Sequence, residues 1–557
     1  MNTAQRSSDE PSPLRGEGVP IFILGSLMGV VRRDEFAFAG AVIAVGIATW
    51  LPVLISVETR PLVGWIAAIV IGLAIERLTR ALSPAVLVAG LVIAGALVAS
   101  GLVTETTRYM SVLVASTAIG VRCAMDMWRR KRLYSAPPLP VTVAAGLYVV
   151  WAAVATATSI DRQLGVTYLA GILAVIVLAF WAVPNLLSRP YDRALLLAVI
   201  GGLGVTIALT VYVGSLIGPS IVFGRSVGDY LFGSLVVAGH STGLEFGRSA
   251  GVYLAPFEPA VVMAMGIVAL LPFGSFNRGR ARLVAALAIL FIVPALVLSL
   301  DRSAWLAAAV GAGFYAAMLA AASLQPKFAA ALALLFLLLL TAVTTNLVGV
   351  NVLREVCVIP LSPGQSCPDW ARRLEELSLR GGGGLSGRQF LWSASWDAIK
   401  ARPVSGYGPG TDVIAIQPYL HGPGLTYLGL SSHSTWLRAG VEMGLPGLVL
   451  LIVVIAASGL VFVRRLKLGP PTRPRASRAS DLPTGWGGES VELVWPALLA
   501  GMLPAMTFEA FLLGGVTLSS LFLALTLGMM AITSVSSTGD RAFSRAPSAA
   551  TPAAATV

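Results

Sequence analysis

Charge is what this chain has least of. Asp, Glu, Lys and Arg make up 12% of its 557 residues, against roughly 25% in ordinary soluble domains. Cysteine and histidine number three each (Cys123, Cys357 and Cys367; His240, His421 and His433). Neither CxxC nor HExxH spacing occurs, so the sequence holds no ligand set for a zinc cluster or a zinc peptidase. So few cysteines also exclude a disulfide scaffold, and no motif calls for a cofactor. An internal repeat is missing as well, which counts against transporters built from duplicated halves.

Apolar residues are abundant instead. They form 56% of the chain, give a mean hydropathy of +0.82, and fall in runs of about 17–25 residues, the length that crosses a bilayer. Such a chain cannot be a soluble or a disordered protein. Its 39 basic and 27 acidic residues leave a net charge of +12. In a soluble protein that excess would suggest nucleic acid, but here the bases cluster in short connections beside apolar runs, where they orient a membrane chain. No nucleic-acid partner is expected.

Run length and flanking charge predict an all-α polytopic membrane protein of about fourteen spans, near residues 36–57, 62–76, 83–103, 109–127, 139–159, 164–186, 194–216, 256–274, 283–300, 304–323, 328–349, 434–463, 493–513 and 518–535. Arg32/Arg33, Arg77/Arg80, Arg129–Arg132, Arg189/Arg193, Arg278/Arg280/Arg282, Lys327 and Arg464/Arg465/Lys467 all then fall on one side, the cytoplasmic one by the positive-inside rule. The apolar stretch 19–31 is too short to span and lacks a small-residue cleavage site, so it reads as an interfacial helix with the N-terminus inside. A basic Pro-rich inner loop at 466–492 and a Ser/Ala/Pro-rich disordered tail at 536–557 complete the plan.

Two segments on the opposite side are long, 217–255 and 350–433, so chemistry outside the membrane has to be built there. The second holds Cys357 and Cys367, whose spacing allows a bridge, whereas Cys123 lies near the inner face as a thiol. Four side chains carry possible chemistry. Arg302, in Leu300-Asp301-Arg302-Ser303-Ala304-Trp305 between two apolar runs, is either a snorkelling turn residue or a diphosphate ligand held at the lipid boundary. Arg388 follows Ser386, which with Gln389 has capping-box spacing and predicts a helix running to about Ala401. A cation in that first turn gains nothing from the helix dipole, but free N–H groups and a guanidinium aimed at one place hold phosphate well. The alternative is a surface arginine without a role. Arg248 is a second outward boundary arginine with the same two readings.

His433, in Leu430-Ser431-Ser432-His433-Ser434-Thr435-Trp436, enters a span from the long loop. Its imidazole can take a proton at neutral pH, or it is a capping or interfacial residue. His240 and His421 read as structural or exposed. Glu442 has Arg438 at i,i+4, a structural pair, and a continuous helix would place Glu442 on the face opposite His433. Gly406-Tyr407-Gly408-Pro409-Gly410 follows a helix and is read as a turn, not a dinucleotide loop.

Together these stretches resemble the O-antigen ligase and polymerase superfamily of bacterial envelope glycosyltransferases. The resemblance covers roughly 190–465 and lies in Gly247–Tyr253 with Pro256, Ser299–Trp305, Ser386-Gly387-Arg388 with Trp392 through Gly408, and His433–Leu437 through Gly447. An asparagine often follows the family's histidine, where Ser434 stands here, and often follows the proline at the start of the span, where Phe257-Glu258 stand.

The resemblance implies a metal-independent enzyme of the bacterial inner membrane with its site facing the periplasm. It would move a glycan from undecaprenyl diphosphate to an acceptor hydroxyl on lipid A core or a growing polysaccharide. Arg302, Arg388 and Arg248 would then bind diphosphate and His433 would act on the hydroxyl. The implied organisation is a cytoplasmic N-terminus at 1–35, N-terminal spans at 36–190, a catalytic core at 191–465 and C-terminal spans at 493–535. A polymerase or a ligase acting on protein is the alternative within the class, and a polysaccharide or lipid exporter the alternative outside it.

Overall fold

The computed structural model describes residues 61–80, 82–99, 105–130, 136–217, four short strands between 220 and 241, 257–276, 279–299, 301–321, 388–420, 431–467, 488–511 and 517–532. Helices dominate them, as an apolar environment requires every backbone N–H and C=O to be satisfied within the segment. The first six are α1 (Pro61–Thr79), α2 (Ala85–Ala99), α3 (Glu105–Arg130), α4 (Leu139–Ala157), α5 (Arg162–Leu186) and α6 (Pro190–Ile217). The antiparallel pairs β1 (Ser220–Val222) with β2 (Arg225–Val227) and β3 (Val236–Val237) with β4 (His240–Ser241) follow. After them come α7 (Phe257–Phe276), α8 (Arg280–Leu298), α9 (Arg302–Ala321), α10 (Arg388–Ala401), α11 (Asp412–Ile416), α12 (Thr435–Lys467), α13 (Gly488–Phe508) and α14 (Leu518–Ile532).

Local chemistry sets many of the ends. Pro61 and Pro190 open their helices at the first position, where no N–H is needed. Asp161 caps α5 by accepting from Leu164 N at 3.0 Å. Inside α5 a π turn, Val177–Ala182, precedes Pro184, and Asn185 Nδ2 donates to Trp181 O at 2.7 Å, which satisfies a carbonyl in the distorted stretch.

Seven of the described helices are long and apolar enough to cross a membrane, and three shorter apolar ones accompany them. Twelve of the predicted spans coincide with described helices; 36–57 and 328–349 lie outside the described residues, as do the interfacial stretch 19–31 and the tail 536–557. The predicted number of fourteen spans is therefore not reached among the described residues.

The core centres on α7, whose residues 260–269 are almost entirely buried, between α6, α8, α9 and α13. Helices α9 and α13 pack closely along their length because Gly501 meets Ala307: a Cβ there would lie 2.5 Å from the Ala307 carbonyl oxygen. That contact fixes the start of α9 relative to the end of α13. At the other end of α13, Arg193 pairs with Glu492 and donates from Nε to Leu187 O at 2.8 Å and from Nη2 to Ser188 O at 3.0 Å. Glu492 and Glu509 thus mark opposite ends of one helix, about 25 Å apart at 1.5 Å per residue.

Two boundaries differ from the sequence reading. The run 493–513 was expected to span as one unit, but α13 ends at Phe508 and leaves Glu509 at its terminus. The run 434–463 was expected to be continuous, but α12 breaks at Gly444 (φ 68°, ψ −177°), two residues after Glu442. Hydropathy registers composition and is blind to both.

Candidate active site

Four helix ends converge around Glu509. The chain enters α9 through Asp301, which accepts from Ala304 N at 3.0 Å and from Ser303 Oγ at 2.5 Å, an N-cap arrangement that keeps this carboxylate buried. Arg302 is the first residue of α9 and is half-buried. Arg388 is likewise the first described residue of α10, in the first turn where the sequence predicted it; Ser386 lies outside the described residues.

Arg388 Nη2 meets Glu509 Oε1 at 2.7 Å, and its guanidinium lies 5.8 Å from the Phe508 ring centroid. Trp392, one turn further along α10, packs on the same ring at 6.1 Å. His433 Nδ1 lies 3.6 Å from the other oxygen, Glu509 Oε2. One carboxylate therefore faces both an arginine and the histidine that the sequence singled out.

Exposure separates their roles. The Glu509 side chain is 2% exposed, whereas that of Arg388 is 22% and that of His433 36%. The carboxylate sits behind, and the arginine and the histidine are the more exposed groups. Burial pushes the Glu509 carboxyl above the usual glutamate range and nearby Asp301 adds to the rise, while His433 and Arg388 pull it down. Asp301, whose charge acts on Glu509, directly precedes Arg302, the first residue of α9.

Thr435 locks the framework. Its N–H and its hydroxyl both donate to Glu509 O, at 3.0 and 2.7 Å, and its Oγ1 accepts from Phe511 N at 2.7 Å. The start of α12 is thereby tied to the end of α13. Thr435→Val, which keeps the shape and removes the hydroxyl, is expected to cost about 2 kcal/mol by leaving the buried Phe511 N–H unpaired, readable as a lower thermal midpoint of the purified protein.

The glycine-rich turn belongs to this framework. Tyr407 N donates to Val441 O at 2.9 Å, Gly408 N to Glu442 O at 2.8 Å, and Leu445 N to Pro403 O at 2.8 Å, so the turn satisfies the backbone groups that the break in α12 exposes. Arg438 Nε pairs with Glu442 Oε1 at 2.7 Å, the i,i+4 contact read from the sequence.

Arg248, His421, Cys357 and Cys367 lie outside the described residues, and so does the side chain of His240 in β4. Cys123 is buried, its thiol 4.0 Å from Ala182 O. The residue that sequence reasoning passed over is Glu509. Its signal was present as a lone carboxylate at the end of an apolar run, where an ionisable group needs a partner.

Residues 285–452 match the O-antigen ligase family. The match begins in α8 and ends within α12, inside the 190–465 stretch whose motifs carried the resemblance. The matched stretch contains Arg302, Arg388 and His433, while Glu509 lies beyond it, directly after α13. No curated protein matches the chain. The match over residues 285–452 and the seven described helices long and apolar enough to cross a membrane support a multi-pass membrane protein with an O-antigen ligase-like segment.

Proposed function

We propose that this protein transfers a glycan from undecaprenyl diphosphate to an acceptor hydroxyl at the periplasmic face of a bacterial inner membrane. The observation that supports the reading is the meeting of Arg388 and His433 on one buried carboxylate, with the start of α9 beside them. In this reading residues 191–465 form the catalytic core, and Glu509 extends it into the C-terminal helices.

Arg302, Arg388 and Arg248 hold the diphosphate while its lipid stays in the bilayer, because a planar, always-charged guanidinium pairs with phosphate at a membrane boundary. His433 Nδ1 faces Glu509, which leaves Nε2 to accept the acceptor proton; contacts of this kind tighten when substrate binds. The acceptor oxygen bonds to the anomeric carbon as the bond from that carbon to the diphosphate oxygen breaks. Undecaprenyl diphosphate departs with the electron pair, its charge met by the arginines. A single displacement inverts the anomeric centre.

The test supplies purified protein with undecaprenyl-diphosphate glycans and candidate acceptors. Arg388→Ala is expected to lower kcat/KM for the donor about 100-fold, the worth of a charged hydrogen bond to phosphate. A folded Arg388→Ala protein with native donor kinetics, or a product of retained configuration, contradicts the scheme. Transfer to lipid A core marks a ligase, and transfer to a second carrier-linked repeat marks a polymerase.

A further inference from the structure

The turn that carries His433 is held in an unfavourable conformation. Its φ of 45° is the one positive value at a non-glycine position among the described residues, in the left-handed region that only a few per cent of non-glycine residues enter, His, Asn and Asp more often than the rest. Something has to keep the chain there.

On the downstream flank Thr435 is tied to the backbone of Glu509. On the upstream flank the anchor is Asp412. Its Oδ2 accepts from Ser432 N at 2.9 Å and from Ser432 Oγ at 3.2 Å. Asp412 is completely buried, and its other oxygen has no hydrogen-bond partner among the described residues. A buried carboxylate with an unmatched oxygen costs the fold more than an apolar side chain of that size would. Stability alone therefore does not account for it.

Asp412 is itself firmly placed. It opens α11 directly after the glycine-rich turn, and that turn is bonded to Val441 and Glu442 of α12, the helix that the His433 turn leads into. The anchor and the segment it holds are thus referenced to the same rigid element. Burial raises the Asp412 carboxyl above the usual aspartate range, and Arg438 and the two bonds from Ser432 oppose the rise.

We propose that Asp412 is a positioning residue for His433: through Ser432 it holds the left-handed turn that sets the imidazole against Glu509. The proposal rests on the reading of His433 as the proton acceptor. Asp412 touches neither donor nor acceptor in this scheme.

Three variants and one chemical probe test it. Asp412→Ala is expected to lower kcat about 100-fold, the cost of misplacing a catalytic group by roughly 1 Å, with donor KM unchanged because the arginines are untouched. Asp412→Asn, whose amide oxygen still accepts from Ser432, recovers much of that loss. Added to His433→Ala, Asp412→Ala causes no further loss, since residues acting through one group are not additive; a multiplied loss overturns the proposal.

The second readout does not depend on residual activity. Diethyl pyrocarbonate modification of the three histidines is followed by mass spectrometry, with His240 and His421 as internal references. In Asp412→Ala, or in Asp412→Leu, which fills the space without an acceptor, if the alanine protein fails to fold, His433 is expected to react severalfold faster while the other two are unchanged. An unchanged rate at His433, or equal acceleration at all three, overturns the positioning role. Full transfer by His433→Ala instead overturns the assignment of the base, an outcome distinct from the others.

Discussion

Glutamine in place of Glu509 lowers kcat for transfer by about 10³, as much as alanine in place of His433. The reason lies in what the carboxylate touches. Its Oε1 holds the Arg388 guanidinium at 2.7 Å and its Oε2 faces His433 Nδ1 at 3.6 Å. An amide can keep one of these contacts but supplies no negative charge to the imidazolium that forms when the acceptor is deprotonated. The measurement is turnover of the purified variant beside Arg388→Ala and His433→Ala, and native turnover by a folded Glu509→Gln protein removes the residue from the site.

Acidity gives the same variant a second signature. Burial holds the Glu509 carboxyl above the usual glutamate range, so acidification neutralises it above about pH 4.3. Activity falls on that acid limb, and the glutamine variant lacks the limb. Stability moves the other way. A carboxyl whose folded pKa is raised favours the folded state below its unfolded pKa, and this contribution is lost as pH rises through the folded value. Glu509→Gln is therefore expected to melt higher than the native protein at neutral pH while turning over far more slowly, a trade between stability and activity common in built sites.

Gly444→Ala produces the largest loss of stability, more than about 3 kcal/mol. The residue has φ 68°, and a Cβ on it would sit 2.1 Å from the Val404 carbonyl oxygen, a backbone atom with no rotamer to change. The Pro403–Tyr407 turn would have to leave α12, taking with it the bonds from Tyr407, Gly408 and Leu445. Gly459, in the same helix, has nothing within 4 Å of its Cβ position; alanine there is expected to be neutral or to stabilise by about 0.5–1 kcal/mol. Thermal melting of the two variants in one detergent separates a packing requirement at Gly444 from a general sensitivity of α12, and equal midpoints contradict it.

Run length and flanking bases located the helices because both act locally: about 20 apolar residues satisfy a bilayer whatever they pack against. The first turn of α10 was readable from Ser386 and Gln389, and the Arg438–Glu442 pair from i,i+4 spacing. Arg302, Arg388 and His433 stood out as polar groups at apolar boundaries. Glu509 stood inside the predicted run 493–513, and nothing in the run says where the helix stops. The break at Gly444 was hidden because glycine is permissive in a span and becomes a break only where another backbone arrives.

By itself, then, the order of residues determined a helical membrane protein and a short roster of boundary cations, because hydropathy and charge act through the nearest few neighbours. Only the tertiary structure decided which of them meet. Arg388 is 121 residues from Glu509, and the close packing of α9 on α13, the Thr435 tie and the turn lodged in broken α12 bring these groups to one carboxylate. Contacts at such separation depend on how whole helices fit together, and no local pattern encodes that fit.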